Sequence, residues 1–169
     1  MAKLNQSAIG CYIRFWTRFV KVNGRATRAE NWHPFWINFL ITSLLGIVSV
    51  GTLGSIFAVV LLIPTFTVTC RRLHDTSRTM ILAILHHLSG IISTIGACLF
   101  ILGIIYLIVN NDARLFGTAT FAWLFGSAIT SLIWLYTVIV LAMPGKKRPN
   151  RYGKGGSCPP IKDNEVVAE

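Results

Sequence analysis

Three stretches of the chain carry no Asp, Glu, Lys or Arg: residues 33–70, 79–109 and 117–143. A helix crossing a bilayer needs about 20 mostly apolar residues. The second and third stretches each predict one such helix. The first would extend about 57 Å as a single helix at 1.5 Å per residue, too far for one crossing. It suits two short helices, residues 36–50 and 55–70, broken at Gly51-Thr52-Leu53-Gly54. Glycine's tolerance of positive φ permits a tight turn there. A re-entrant hairpin satisfies the same pattern, and Pro64 lacks a backbone donor and tends to kink a helix. The cost of irregular backbone in lipid favours full crossing.

Residues 9–22 show a different period. At 100° per residue, Ile9, Tyr12, Ile13, Trp16, Phe19 and Val20 share one side, with Phe15 at its margin. Arg14, Thr17, Arg18 and Lys21 share the other. That pattern predicts a helix lying in the interface, aromatics in the acyl boundary and bases among headgroups. The same face also suits packing against the bundle. The expected fold is an all-α integral membrane protein. It has four transmembrane helices, the first two a tight hairpin, preceded by an amphipathic interfacial helix. Residues 1–32 would hold that helix and a basic motif, and residues 33–143 the transmembrane domain. Residues 144–169 would form a basic tail that opens on the helix-stopping Pro144-Gly145 and ends disordered.

Composition narrows the class. Of 169 residues, 53% are apolar and 13% charged, with 16 Lys and Arg against 6 Asp and Glu and a net charge of +10. A soluble domain carries about a quarter charged residues. A disordered chain is far less apolar, and a soluble nucleic-acid binder spreads its bases over a polar surface. No nucleic-acid partner is therefore expected. The bases fall on one side of the predicted threading. Fifteen lie before the first helix, between the second and third, or in the tail, against Arg114 alone on the other side. Cytoplasmic loops hold Lys and Arg, so both termini should be cytoplasmic. A juxtamembrane basic cluster attracts anionic lipid at about 1 kcal/mol per residue, which makes anionic membrane lipids the expected partners. No signal peptide is visible in residues 1–31, so the first helix would be an uncleaved anchor. Asn5-Gln6-Ser7 matches a glycosylation acceptor but would lie on the cytoplasmic side.

Two polar clusters interrupt the apolar pattern. Gly24-Arg25-Ala26-Thr27-Arg28-Ala29-Glu30-Asn31-Trp32 precedes the first transmembrane helix, and Arg71-Arg72-Leu73-His74-Asp75-Thr76-Ser77-Arg78 joins the second to the third. Arginine's planar fork suits bidentate pairing with carboxylate or phosphate. Glu30 and Asp75 can pair with these arginines to lock the loops together, with Thr76 or Ser77 capping the third helix. Alternatively, the arginines in excess of the two acids bind a lipid phosphate or another anion. The candidate residues are Arg25, Arg28, Glu30, Arg71, Arg72, His74, Asp75, Arg78 and, in the tail, Arg151.

The order Gly-Arg-Ala-x-Arg-x-Glu-x-Trp, then Arg-Arg-Leu-His-Asp-Thr, then Pro-Gly with Asn-Arg-Tyr-Gly, resembles the domain-of-unknown-function family 805. The resemblance covers residues 19–159 and is most specific at residues 71–76. Its marked positions are Gly24, Arg25, Arg28, Glu30, Trp32, Arg71, Arg72, Leu73, His74, Asp75, Asn150, Arg151, Tyr152 and Gly153. The chain departs where members typically have Ser-Gly-Trp after His-Asp and Pro-Asp-Pro after Asn-Arg-Tyr-Gly. It also has a longer apolar stretch between Asn110 and Met143. The resemblance implies a small bacterial inner-membrane protein and no chemistry.

Intramembrane ionisable groups are functional by default, which singles out His86 and His87 in the third helix. They project about 100° apart and cannot both face one pore. Cys70 and His74 could supply two metal ligands, but a closed site needs about four, so no metal or other cofactor is expected. Cys11, Cys70, Cys98 and Cys158 form no Cys-x-x-Cys pair, and three lie on the reducing side, so disulfides are not expected. Ser89, Gly96 and Gly103 recur every seventh position, and Ala122, Gly126 and Thr130 every fourth. These small residues suit close helix contacts within the bundle, in a homo-oligomer or with another membrane protein. No catalytic set is present. The sequence thus points to a non-enzymatic module binding protein partners or anionic lipid through a basic cytoplasmic face. A small oligomeric channel or transporter is the alternative, and a headgroup enzyme using His74 and Asp75 as acid and base is a third reading.

Overall fold

A computed structural model of the chain describes residues 7–110, 112–146 and 148–153. Lys3, the Asn5-Gln6 pair, Lys147, Lys154, Cys158, Lys162 and the end of the tail lie outside the described residues. Those described form five helices: α1 (Ala8–Thr17), α2 (Arg28–Val48), α3 (Thr52–Asp75), α4 (Ile81–Asn110) and α5 (Arg114–Ala142). They fall into two compact units, one reaching to Met80 and resuming at Val140, the other spanning Ile81–Ile139. Three helices, α3, α4 and α5, are long and apolar enough to cross a membrane. The first half of α2 is diluted by Arg28, Glu30, Asn31, His33 and Asn38.

In the first unit, α2 and α3 form an antiparallel hairpin. The turn is shorter and earlier than the glycine spacing predicts. Val50 and Gly51 both take positive φ, at 52° and 92°, and α3 restarts at Thr52. Gly54 is therefore helical, and its role is contact. A Cβ there would stand 2.9 Å from the Gly46 Cα, so the two backbones touch where only glycine fits. Glu30 and Thr27 close a capping box at the start of α2, each side chain accepting from the other's backbone N–H at 2.9 and 3.1 Å. Helix α3 runs on through Pro64.

The far end of α3 corrects the expected loop. Residues 71–75 are the last turn of the helix, and Thr76 stands at its C-terminal cap with its hydroxyl donating to the Leu73 carbonyl at 2.9 Å. Thr76 thus ends α3 and does not cap the next helix. Helix α1 is also shorter than predicted and is turned. Cys11 and Phe15 are buried, and the Phe15 ring joins Ala26, Leu61 and Val68 in the core beside Trp16 and Phe57. Ile9, Ile13, Phe19 and Val20 remain exposed. The Tyr12 hydroxyl donates to Asn38 Oδ1 at 3.1 Å, tying α1 to α2.

The second unit is the α4–α5 hairpin, apolar around most of its circumference. The heptad stripe of α4 is its seam. Ser89 O accepts from Thr130 Oγ1 at 3.4 Å, a Cβ on Gly96 would meet Trp123 at 3.5 Å, and one on Gly103 would meet Ala119 at 3.4 Å. Phe100 stacks on Trp123 with centroids 4.8 Å apart. Ala122 and Gly126 line an apolar groove of about 900 Å³ between the two helices. His86 and His87 sit near the start of α4, where His87 Nδ1 donates to the Ala83 carbonyl at 3.0 Å.

Candidate functional site

The site lies at the end of the α2–α3 hairpin opposite the Gly51 turn. Burying a carboxylate without partners is prohibitive, so a buried acid organises its surroundings. Asp75, 1% exposed, does this for the first unit. Its Oδ1 accepts from Arg25 Nε at 2.9 Å and its Oδ2 from Arg72 Nη1, one turn back on α3. The Asp75 carbonyl accepts from Arg25 Nη2 at 3.2 Å and from the Lys146 amide at 3.0 Å.

The two arginines then reach outward to backbone. Arg72 Nε donates to Leu141 O at 3.0 Å and Nη2 to Met143 O, both at the end of α5, where helical carbonyls lack intrahelical partners. A cation at a helix C-terminus also complements the helix dipole. Arg25 donates to the carbonyls of Lys146 and, at 3.1 Å, Arg148. Gly145 passes so close that a Cβ there would overlap the Asp75 carboxylate. The carboxylate thus joins the loop before α2, the end of α3 and the chain leaving α5.

His74 extends the same assembly. Its Nδ1 donates to the Gly24 carbonyl at 3.2 Å, and its ring stacks on Tyr152 at 3.7 Å and 5°. Asn150 Nδ2 donates to the carbonyl of His74 at 2.8 Å and to Ser77 Oγ at 3.1 Å, and a tight turn pairs Asn150 with Gly153. Arg151 lies over the Tyr152 ring, 4.8 Å from its centroid. The three sequence motifs, 129 positions apart at their extremes, therefore meet at one place.

Glu30 does not join Asp75. It pairs with Arg14, Nη1 to Oε1 at 2.6 Å. The helical wheel of α1 puts Arg14 on the headgroup face, but Arg14 sits in the α1–α2 contact, because the helix is rotated toward Cys11 and Phe15. Burial pushes the Cys11 thiol pKa up, Arg14 draws it down and Glu30 adds to the rise. Arg71 is buried, and Arg28 is exposed at the start of α2. Arg78 is half-buried just past α3, its amide donating to Leu73 O at 2.9 Å. His86 and His87 belong to the other unit. Sequence reading missed Arg14, Gly145 and the carbonyl acceptors at the end of α5. Of these, only Pro144-Gly145 left a signal, as a helix stop.

A family model described as "Protein of unknown function (DUF805)" matches residues 19–154. The chain belongs to this family. That match takes in every residue of the Asp75 assembly. A stretch of 78 residues is 31% identical to "Inner membrane protein YhaH" of Escherichia coli strain K12, and equally to its namesake in Escherichia coli O157:H7. That similarity covers 40% of this chain and 64% of each relative's length. No solved structure matches.

Proposed function

We propose that this DUF805 protein is a non-catalytic module of the bacterial inner membrane whose cytoplasmic face binds anionic lipid headgroups. The carrying observation is that Asp75 engages Arg25 and Arg72, whereas Arg18, Lys21, Arg28, Arg148 and Arg151 stay exposed. The inner-membrane setting rests on the three apolar helices and on the name of the Escherichia coli relatives. In this reading α2 is a fourth span. Its 21 residues extend about 32 Å, close to the hydrocarbon thickness. The apolar turn residue Val50, 94% exposed, would then face the far side. Both termini are cytoplasmic, and the exposed Ile9 and Ile13 of α1 enter the acyl boundary. A second copy or another membrane protein would use the lipid-facing hairpin.

Lipid analysis after purification in mild detergent tests the reading. Phosphatidylglycerol and cardiolipin should be enriched over phosphatidylethanolamine relative to the bulk membrane. Replacing these five bases by Gln should remove that enrichment. A bulk-like lipid profile for the unaltered protein overturns it. Reagent access to a cysteine placed at Gly51, against one at Arg28, tests the fourth span. If both are reached from one side only, α2 and α3 form a re-entrant hairpin.

A small oligomeric channel is the second reading, favoured by one observation: His86 Nδ1 in α4 is buried without a hydrogen-bond partner among the described residues. Proteoliposome flux that disappears in His86→Leu supports it, and flux that survives removes the histidine from the path.

A further inference from the structure

The groove on the α4–α5 hairpin has no part in the Asp75 assembly and belongs to the second unit. Its volume of about 900 Å³ is that of a site for a sizeable ligand. The lining runs from Ile92 to Asn110 on α4 and from Leu115 to Ser127 on α5. At 1.5 Å per residue those stretches measure about 27 and 18 Å along the two helices. No lining residue comes from the other end of the hairpin, residues 81–91 and 128–139. The helices have 30 and 29 residues, so they overreach a hydrocarbon core about 30 Å thick. The groove therefore occupies the turn-side half of the hairpin and reaches to about the depth of one leaflet.

The lining suits an aliphatic chain. Leu99, Leu102, Ile105 and Val109 line it from α4, each more than half exposed. On α5, a Cβ added to Gly126 would meet nothing within 4 Å, so the smallness of that residue leaves space open. Polar lining residues turn their donors back to their own helices. Asn110 Nδ2 donates to the Tyr106 carbonyl at 3.2 Å, Thr118 Oγ1 to Leu115 O at 3.1 Å and Ser127 Oγ to Leu124 O at 2.9 Å. Lining atoms with nothing opposite them forfeit dispersion contacts, which an apolar occupant restores.

A cation stands where the groove meets the turn. Arg114, next to the lining residue Leu115, is the only Lys or Arg between Arg78 and Lys146. The nearby acid does not take it up. Asp112 Oδ1 accepts from the Arg114 amide at 3.0 Å, and the Arg114 guanidinium makes no ion pair among the described residues. An exposed guanidinium at the end of an apolar channel complements a phosphate carried on acyl chains. A partner helix matches less well, because it would cross the whole bilayer whereas the lining stops at Ile92 and Ser127.

We propose that this groove binds the acyl chains of one phospholipid from the leaflet at the α4–α5 turn, with its phosphate at Arg114. The site is separate from the cytoplasmic headgroup face. It recognises what phosphatidylethanolamine and phosphatidylglycerol share, so it does not select between them.

Native mass spectrometry of the full chain, delipidated in mild detergent and titrated with phosphatidylethanolamine, tests the site. One lipid per chain should be retained. Gly126→Leu and Ala122→Leu each fill the groove and should weaken retention about tenfold or more, the size of an overpacking penalty. Gly117→Leu, on the same helix but outside the lining, should leave it unchanged, with circular dichroism confirming that all three variants stay helical. Arg114→Gln should weaken it about tenfold through one lost charge-assisted hydrogen bond. Replacing Arg18, Lys21, Arg28, Arg148 and Arg151 by Gln should leave it intact, so this site and the cytoplasmic reading fail separately. Undiminished retention in both Gly126→Leu and Ala122→Leu overturns the site, as does an equal loss in Gly117→Leu. Undiminished retention in Arg114→Gln overturns the placement of the phosphate. A dimer that Gly126→Leu splits while lipid retention stays unchanged makes a second copy the occupant and overturns the lipid.

Discussion

Asp75→Asn keeps the shape of the side chain and removes its charge. The carboxylate is 1% exposed and has a guanidinium on each oxygen, and both arginines are themselves nearly inaccessible. Removing one partner of a buried ion pair costs about 3–5 kcal/mol, because the remaining charge stays buried. Here two guanidiniums lose their counter-ion, although their bonds to the carbonyls of Leu141 and Met143 and of Arg148 survive and soften the loss. A destabilisation of about 3–5 kcal/mol is therefore expected. For a chain of this size that corresponds to a midpoint lowered by roughly 6–20 °C, at about 2–4 °C per kcal/mol. Thermal unfolding of the purified protein in mild detergent, followed by circular dichroism, measures it. A shift of under about 0.5 kcal/mol, the size of an ordinary surface substitution, would refute the idea that Asp75 organises this end of the fold.

Gly145→Ala should be destabilising through the same contact, since its Cβ would overlap the Asp75 carboxylate. Combined with Asp75→Asn it should cost less than the sum, which a double-mutant cycle on thermal stability will show. Gly54→Ala should force α3 off the Gly46 backbone and cost about 1–3 kcal/mol, whereas Gly117→Ala meets nothing within 4 Å and should be neutral or slightly stabilising. Buried Cys11 and Cys70 should resist maleimide in the folded protein and react once it is denatured. Because the Cys11 thiol pKa is raised on folding, the folded state holds that proton more tightly. Its contribution is complete below the unfolded pKa of about 8.5 and is lost as pH rises through the folded value. Cys11→Ala should therefore flatten the alkaline decline in midpoint relative to the unaltered chain.

The apolar runs made α4 and α5 legible in sequence, because an uncharged stretch of 25 residues or more admits few structures other than a long helix. Breaking residues 33–70 into two helices was legible as well, since the stretch is too long for one. The polar motifs were legible as candidates, and Glu30 and Asp75 as the acids that would take arginine partners. Which arginine takes which acid was not. Arg14 looked like a headgroup residue because the helical wheel orders side chains around an axis but does not say which arc faces a neighbour. The burial of Cys11 and Phe15 turned it inward to Glu30. Residues 71–75 looked like a loop because they are polar, yet backbone carbonyls and Asp75 satisfy them within a helical turn.

The sequence by itself pointed to an all-helical chain with four crossing helices, of which three prove long and apolar enough, and to charge gathered at helix ends. Those are properties of local composition, where each residue's transfer energy acts nearly independently of the rest. Only the tertiary structure decided that residues 25, 72, 75, 145 and 150 meet, that Gly54 serves a backbone contact beside the turn, and that Glu30 takes Arg14. Such pairings depend on which partners distant segments bring within reach of each buried charge when they pack, and no local pattern records that.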